Sequence, residues 1–248
     1  LWVIEGPERL ANEFPLHKAG LNVVWTDDLQ PYRASKVRIL NGAHTASALA
    51  AFCGGLDTVG EMMNDSVASR FLQQVVFDEI VPFVPLPEAE RRSYAKSVLE
   101  RFANPYIRHE LLSITLNSVS KWKVRVLPSL LDYAHTHGRA PDGLAFSLAA
   151  LLWFYRGRFD AAGEFVGQRE AGSYPIRDSR DVLDLFNAAW RDPAHVRPTD
   201  VAPMLLADTR LWGMDLHVIP ELARQVANAL DRIEAVGMLP ALAETLAR

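Results

Sequence analysis

Apolar residues along this chain change their spacing near residue 30. Before it, Leu1-Trp2-Val3-Ile4 and Leu21-Asn22-Val23-Val24-Trp25 have the β-branched and aromatic content of short strands, with a Gly6-Pro7 turn between them. After it, apolar residues recur three and four apart, the spacing of helices. Pro31 stands where the first turn of a helix tolerates proline, with Thr26, Asp27 and Asp28 as candidate caps. The pattern predicts a helix over 32–52, closed by Gly54-Gly55. Further helices are predicted over 66–81, 87–102, 105–119, 122–135 with an interruption at Pro128, 141–155, 181–190, 201–207, 218–236 and 239–247. The stretch 141–155 carries Leu144, Phe146, Leu148, Leu151, Leu152 and Phe154, and reads as a central buried helix. Residues 157–180 read as a long irregular loop, a kind of segment that often carries function in compact domains. No fixed-period repeat and no low-complexity tract is present. The expected fold class is mainly α, with a short β remnant at the N-terminus.

Of the 248 residues, 49% are hydrophobic, enough for a full core. A net charge of −4 gives no electrostatic reason to expect nucleic acid or an anionic membrane as partner. No apolar run approaches the roughly 18 residues that a membrane span needs. The single cysteine, Cys53, excludes an internal disulfide and suits a reducing, cytoplasmic setting. Its neighbours Ala50, Ala51 and Phe52 favour an inert buried thiol. The chain opens in an apolar β-type run without a signal-peptide pattern, so a further domain is expected upstream.

The candidate chemistry begins at the head of the first apolar helix, in Lys36-Val-Arg-Ile-Leu-Asn-Gly-Ala-His-Thr45. Lys36, Asn41 and His44 supply an amine, a carboxamide and an imidazole, groups able to move a proton on and off an alcohol oxygen. On an α-helix Asn41 and His44 lie on neighbouring faces, and Lys36 falls about 140° round from Asn41. Spacing alone leaves two readings. One is a proton-transfer site; the other has Lys36 and Arg38 solvated, Asn41 bonded locally and His44 satisfied in the core. A second polar cluster spans 104–110 and 117–125. Lys121 and Arg125, four apart, share a helix face and repel mildly unless an anion lies between them. Arginine's planar fork suits a carboxylate, although a solvated basic face beside Trp122 explains the same spacing. The 14 glycines are scattered, with no glycine-rich strand–turn–helix for a dinucleotide, no phosphate-binding loop and no nucleophile elbow. His135 and His137 point to different helix faces, and no metal site is expected.

The Lys36-to-Thr45 block, with Trp2-Val-Ile-Glu5 and Asp28-Leu-Gln-Pro-Tyr32, resembles the polyol-specific long-chain dehydrogenases, the mannitol dehydrogenase family, and the likeness runs over essentially the whole chain. Within that family, Glu5-Gly6-Pro7, Asn104-Pro-Tyr-Ile-Arg-His109, the run 117–128 and Tyr174-Pro-Ile-Arg-Asp178 resemble the tagaturonate-reducing branch. The mannitol and fructuronate branches usually carry Glu-Asp at positions 5 and 6, and an Asp-Gly-Ser-Gln-Lys-type run near 117–121. The resemblance implies a two-domain enzyme. Its N-terminal Rossmann-like domain would hold NAD, and a multi-helical C-terminal domain of the 6-phosphogluconate-dehydrogenase C-terminal-like type would supply the catalytic lysine and much of the pocket. Residues 1–30 would be the tail of the first domain, and 31–248 the helical substrate and catalytic domain. The partners implied are a sugar-acid or polyol substrate and the chain's own Rossmann-like domain, which would hold most of the NADH.

The same resemblance implies Lys36 as proton donor and general base, with Asn41 and His44 polarising the carbonyl. Lys121 and Arg125 would hold a sugar-acid carboxylate, with His109 lining the same pocket. A lysine of ordinary pKa near 10.4 has to be destabilised by roughly 4 kcal/mol to act near neutrality, which burial against the helix face is expected to supply. The implied reaction is NADH-dependent reduction of D-tagaturonate to D-altronate. A fructuronate reductase or mannitol dehydrogenase is the alternative within the family, and a non-catalytic helical interaction module the alternative from another class.

Overall fold

A computed structural model describes residues 2–7, 9–191 and 196–247. Two strands, β1 (Trp2–Glu5) and β2 (Val23–Thr26), pair in parallel, with Trp2 opposite Val23 and Glu5 opposite Thr26. They are the two predicted strands displaced by one or two residues; Leu1 lies outside the described residues. Parallel pairing requires a crossover, which helical turns at Leu10–Glu13 and Leu16–Ala19 provide.

From Gln30 onward the chain is chiefly helical, as the apolar period predicts. Helix α1 (Gln30–Ser35) has Pro31 in its first turn, and the Asp28 carboxylate accepts the Gln30 N–H at 2.8 Å. It continues through a π-helical turn, Lys36–Asn41, into α2 (Gly42–Cys53). Ala43, Ala46, Ala48, Ala50 and Ala51 on α2 are buried, and their small side chains let neighbouring helices approach closely. Helix α3 (Val59–Asn64), absent from the sequence reading, starts on a capping box between Thr58 and Glu61. Helix α4 (Ser66–Gln74) is capped by Asp65 and runs into a second π turn, Val75–Ile80. Helix α5 (Glu88–Phe102) begins after Pro87 with Glu88 and Glu90 in its first turn, where the helix dipole favours acids.

The helix predicted over 105–119 does not form as one element; within it the turn Leu111–Ile114 is helical, and Ser118 and Val119 already belong to the next helix. The backbone of this segment pairs instead with the loop before α3. The Val59 N–H donates to the His109 carbonyl at 2.9 Å, and the Leu111 N–H to the Asp57 carbonyl at 2.8 Å. Asn117 at φ 53° then breaks the chain direction before α6 (Ser118–Arg125). Helix α7 (Leu127–His137) follows after a break at Val126, with Pro128 in its first turn.

Helix α8 (Asp142–Phe154) is the central buried helix that the sequence predicts, packed against α2. Its first turn is held by Glu79 from the second π turn, whose Oε1 accepts from Gly143 at 2.9 Å and Oε2 from Leu144 at 2.7 Å. Burial pushes the Glu79 carboxyl up to about 7, against the pull of those two donors. The predicted loop 157–180 is largely an antiparallel meander of β3 (Gly157–Phe159), β4 (Phe165–Arg169) and β5 (Gly172–Pro175). Phe165, Gly167, Tyr174 and Ile176 turn to the protein, and Gly172 at φ +124° makes the tight corner. The meander is tied to the core by Tyr174, whose hydroxyl donates to the Phe154 carbonyl at 2.8 Å. Arg169 donates to the Phe52 carbonyl at 3.0 Å, at the C-terminal end of α2, where a cation is favoured. Helices α9 (Arg180–Ala189), α10 (Pro198–Ala207), α11 (Leu222–Val236) and α12 (Met238–Leu246) complete the domain, with α11 packed between α8, α10 and α12. Among the described residues no helix is long and apolar enough to cross a membrane.

Candidate active site

The π turn alters the geometry expected of the Lys36-to-Thr45 block. A π turn closes its hydrogen bonds between residues five apart, so positions 36 and 41 lie nearly one above the other, where an α-helix would set them about 140° apart. Lys36 is nevertheless exposed, contrary to the expectation that it is buried against the helix. Ser35 and Ile39 take the buried side of this turn, and Lys36 falls one position off it. Arg38, which the structural alternative left in solvent, is drawn inward. It donates to Ser129 Oγ and the Phe83 carbonyl, both at 3.0 Å, and to Asp132 at 2.5 Å.

His44, two residues into α2 from Gly42, lies flat on the Phe102 ring, with centroids 3.8 Å apart and planes 4° apart. His109 meets it edge-on at 5.4 Å. Burial, then the neighbouring His109 and Arg125, drives the His44 imidazole down to about 3, so it is neutral at physiological pH. Its Nε2 is buried and has no hydrogen-bond partner among the described residues. Buried polar atoms are rarely left so, and a substrate oxygen is the kind of group that would satisfy this one.

Arg125 ends α6 beside the same block. Its Nη1 donates to Thr45 Oγ1 at 3.2 Å, and that hydroxyl donates to the Asn41 carbonyl at 2.8 Å. The two helices touch closely here: a Cβ on Gly42 would lie 3.2 Å from the Arg125 carbonyl oxygen. Lys121, one turn earlier on α6, donates to the Ile114 carbonyl at 2.9 Å. Burial, and then Arg125, hold its ammonium below the ordinary lysine range, with Asp178 pulling the other way. Burial also lowers Arg125. Neither cation makes an ion pair with a carboxylate among the described residues.

The structure therefore brings His44, His109 and Arg125 together, attaches Asn41 through Thr45, and sets Lys121 next to Arg125. Lys36 stands at the open edge of the turn. Sequence reasoning missed Thr45 and Phe102. Thr45 had a legible signal, since it lies three residues from Gly42 and so shares the face that receives Arg125; Phe102 read only as the last residue of the helix predicted over 87–102. A separate surface cleft opens at the carboxyl ends of β1 and β2, lined by Gly6, Asn12, His17, Trp25 and Thr26, with Trp25 Nε1 buried and unpartnered.

Residues 28–234 match the family model of the mannitol dehydrogenase C-terminal domain. The altronate oxidoreductase of Yersinia enterocolitica is 43% identical over 245 residues, covering 98% of this chain and 49% of its own length. That of Escherichia coli O7:K1 is 42% identical over 244 residues, covering 98% of this chain and 48% of its own. The chain thus spans about half the length of the curated relatives it matches. Among solved structures, Pseudomonas fluorescens mannitol 2-dehydrogenase, in a ternary complex with NAD and D-mannitol, superposes with a TM-score of 0.77 at 24% identity, over 93% of this chain and 44% of its own. A D-sorbitol dehydrogenase in substrate-free form gives 0.68 at 23% identity, over 92% and 43%. The shared fold is a helical C-terminal domain of this dehydrogenase type.

Proposed function

The chain belongs to the mannitol dehydrogenase family, and from that premise we propose that it is the catalytic, substrate-holding part of an NAD-dependent enzyme that reduces D-tagaturonate to D-altronate. The observation carrying the sugar-acid reading is the pair Lys121 and Arg125, two half-buried cations without a carboxylate partner, beside a neutral imidazole. Cations in that state favour an anionic ligand, and a guanidinium can grip a carboxylate with two parallel hydrogen bonds. The likeness to altronate oxidoreductases over nearly the whole chain supports the same substrate class.

NADH, when bound, supplies the hydride that reduces the keto carbon. The cleft at the strand ends fits the edge of such a cofactor, because ligands of open parallel sheets lie beyond the carboxyl ends of the strands. No glycine-rich turn for a pyrophosphate occurs in this sequence, so the main grip belongs to another part of the enzyme. In this chain His44, with its proton on Nε2, donates a hydrogen bond to the substrate's carbonyl oxygen, and the Asn41 carboxamide adds a second donor. Lys36 gives its proton to the forming alkoxide and takes it back in the reverse direction. An exposed ammonium has to lose its water to do this, and closure by the cofactor-binding half would cover it. His109 lines the pocket, and Lys121 and Arg125 hold the carboxylate.

Residues 1–30 group with the cofactor-binding half in this reading, and 31–248 form the substrate domain. A two-stranded parallel sheet is too small to be stable alone, which supports that division. Cys53 is a free thiol pushed up to about 12 by burial, which fits a reducing, cytoplasmic setting. The test is steady-state kinetics of the full-length enzyme with NADH on tagaturonate, fructuronate and fructose. We expect kcat/KM for tagaturonate to exceed the other two by about tenfold or more. A preference for fructose of the same size would overturn the sugar-acid reading.

A further inference from the structure

We propose that Thr45 is a positioning residue that sets specificity for an acidic substrate, because its hydroxyl fixes the head of Arg125 and ties it to the turn that bears Lys36 and Asn41. This rests on the sugar-acid reading above and names the device behind it. Thr45 is buried, only 5% exposed, so its hydroxyl meets chiefly protein partners. A hydroxyl has one proton, and here it is directed at the Asn41 carbonyl, 2.8 Å away. The oxygen is then left with lone pairs alone, and its bond to Arg125 Nη1 at 3.2 Å can run in one direction only, from guanidinium to hydroxyl.

The arrangement holds Arg125 at two points. Its main chain is fixed where α6 crosses α2 at Gly42, since that glycine admits the Arg125 carbonyl oxygen at a distance a side chain would contest. Its head is fixed by Thr45. A guanidinium has five N–H donors, and the Arg125 side chain makes no other hydrogen bond among the described residues, so its remaining donors are left for a planar anion. The neighbouring His44, with its unpartnered Nε2, lies on the residue before Thr45, so carbonyl and carboxylate contacts are set from consecutive positions of one helix. A six-carbon keto acid uses both contacts. A neutral ketose of the same length has no group that calls on Arg125, and the ratio of the two therefore reports on Thr45.

The experiment compares wild type, T45V and T45S in the full-length enzyme, with tagaturonate and fructose as substrates. Valine keeps the shape and removes the hydroxyl; serine keeps the hydroxyl. In T45V the KM for tagaturonate is expected to rise about tenfold or more, with kcat changing by less than about threefold and the fructose KM rising far less. T45S is expected to restore the wild-type ratio, and T45V is expected to add nothing once Arg125→Met has been made. If circular dichroism shows T45V unfolded, T45A read against T45S carries the same comparison. An unchanged tagaturonate KM in T45V, or equal losses on acid and ketose, overturns the proposal while leaving the sugar-acid reading intact. A wild type that prefers fructose fails that reading before Thr45 is touched, and this proposal falls with it.

Discussion

Arg38→Met tests whether the π turn is held from outside the helix. The Arg38 side chain is 12% exposed and meets three partners on two other elements: Ser129 in α7, the Phe83 carbonyl, and Asp132 in α7. Hydrogen bonds from a charged donor contribute about 1.5–3 kcal/mol each when buried. The Asp132 side chain is 50% exposed, so water replaces the guanidinium there and that contact counts for less than about 1 kcal/mol. Ser129 is fully buried and loses its partner outright. Methionine keeps most of the apolar stem, so packing changes little. The net loss is expected at about 3–4 kcal/mol, with Arg38→Lys near 2 kcal/mol because one ammonium cannot reach all three acceptors. Urea titration followed by the fluorescence of the six tryptophans measures it. A loss below about 1 kcal/mol in Arg38→Met, or wild-type stability in Arg38→Lys, would show that the turn does not depend on this anchor.

Lys36→Ala separates chemistry from folding with unusual clarity, because the side chain is exposed: stability should stay within about 0.5 kcal/mol, while turnover of the full-length enzyme falls by roughly three orders of magnitude. Near-normal turnover in a folded variant would remove Lys36 from the reaction. His44 should make the fold acid-sensitive. Its folded pKa of about 3 lies below the ordinary 6.5, so its contribution is intact above pH 6.5 and is lost as pH falls toward 3, where the unfolded chain takes up a proton that the folded one refuses. Between pH 7 and 4.5 the wild type should lose about 2–3 kcal/mol more than His44→Gln in unfolding titrations, and parallel losses would refute a buried neutral imidazole.

The parts of this molecule that were legible in the sequence are those whose signal is periodic and long. Helices α5 and α8 follow from apolar spacing, a proline at the start and acids in the first turn. The meander was not legible, because its alternation spans only a few residues per strand and glycines stand at inward positions such as Gly167. The segment 105–119 failed for another reason: backbone pairing with residues 57–59 overrides local preference, and no local pattern announces it. At the site, the Lys36-to-Thr45 block identified itself, but the positions of its members did not. A change of helical pitch has no residue signature, so spacing alone sets Lys36 about 140° from Asn41 where the π turn aligns them. One of the two readings leaves Arg38 in solvent because its three acceptors lie 45 to 94 residues away.

A π turn holds one residue more in each hydrogen-bonded ring than an α turn does. Take one residue out between Ser35 and Gly42 and the helix could close as plain α, but everything upstream would swing by about 100° relative to α2. A substitution at one of these positions, whatever it costs, leaves the phase of the helix unchanged; a change in their number does not. The count of residues in that single turn is thus a phase setting, and it decides which side of the helical domain confronts whatever packs on β1 and β2.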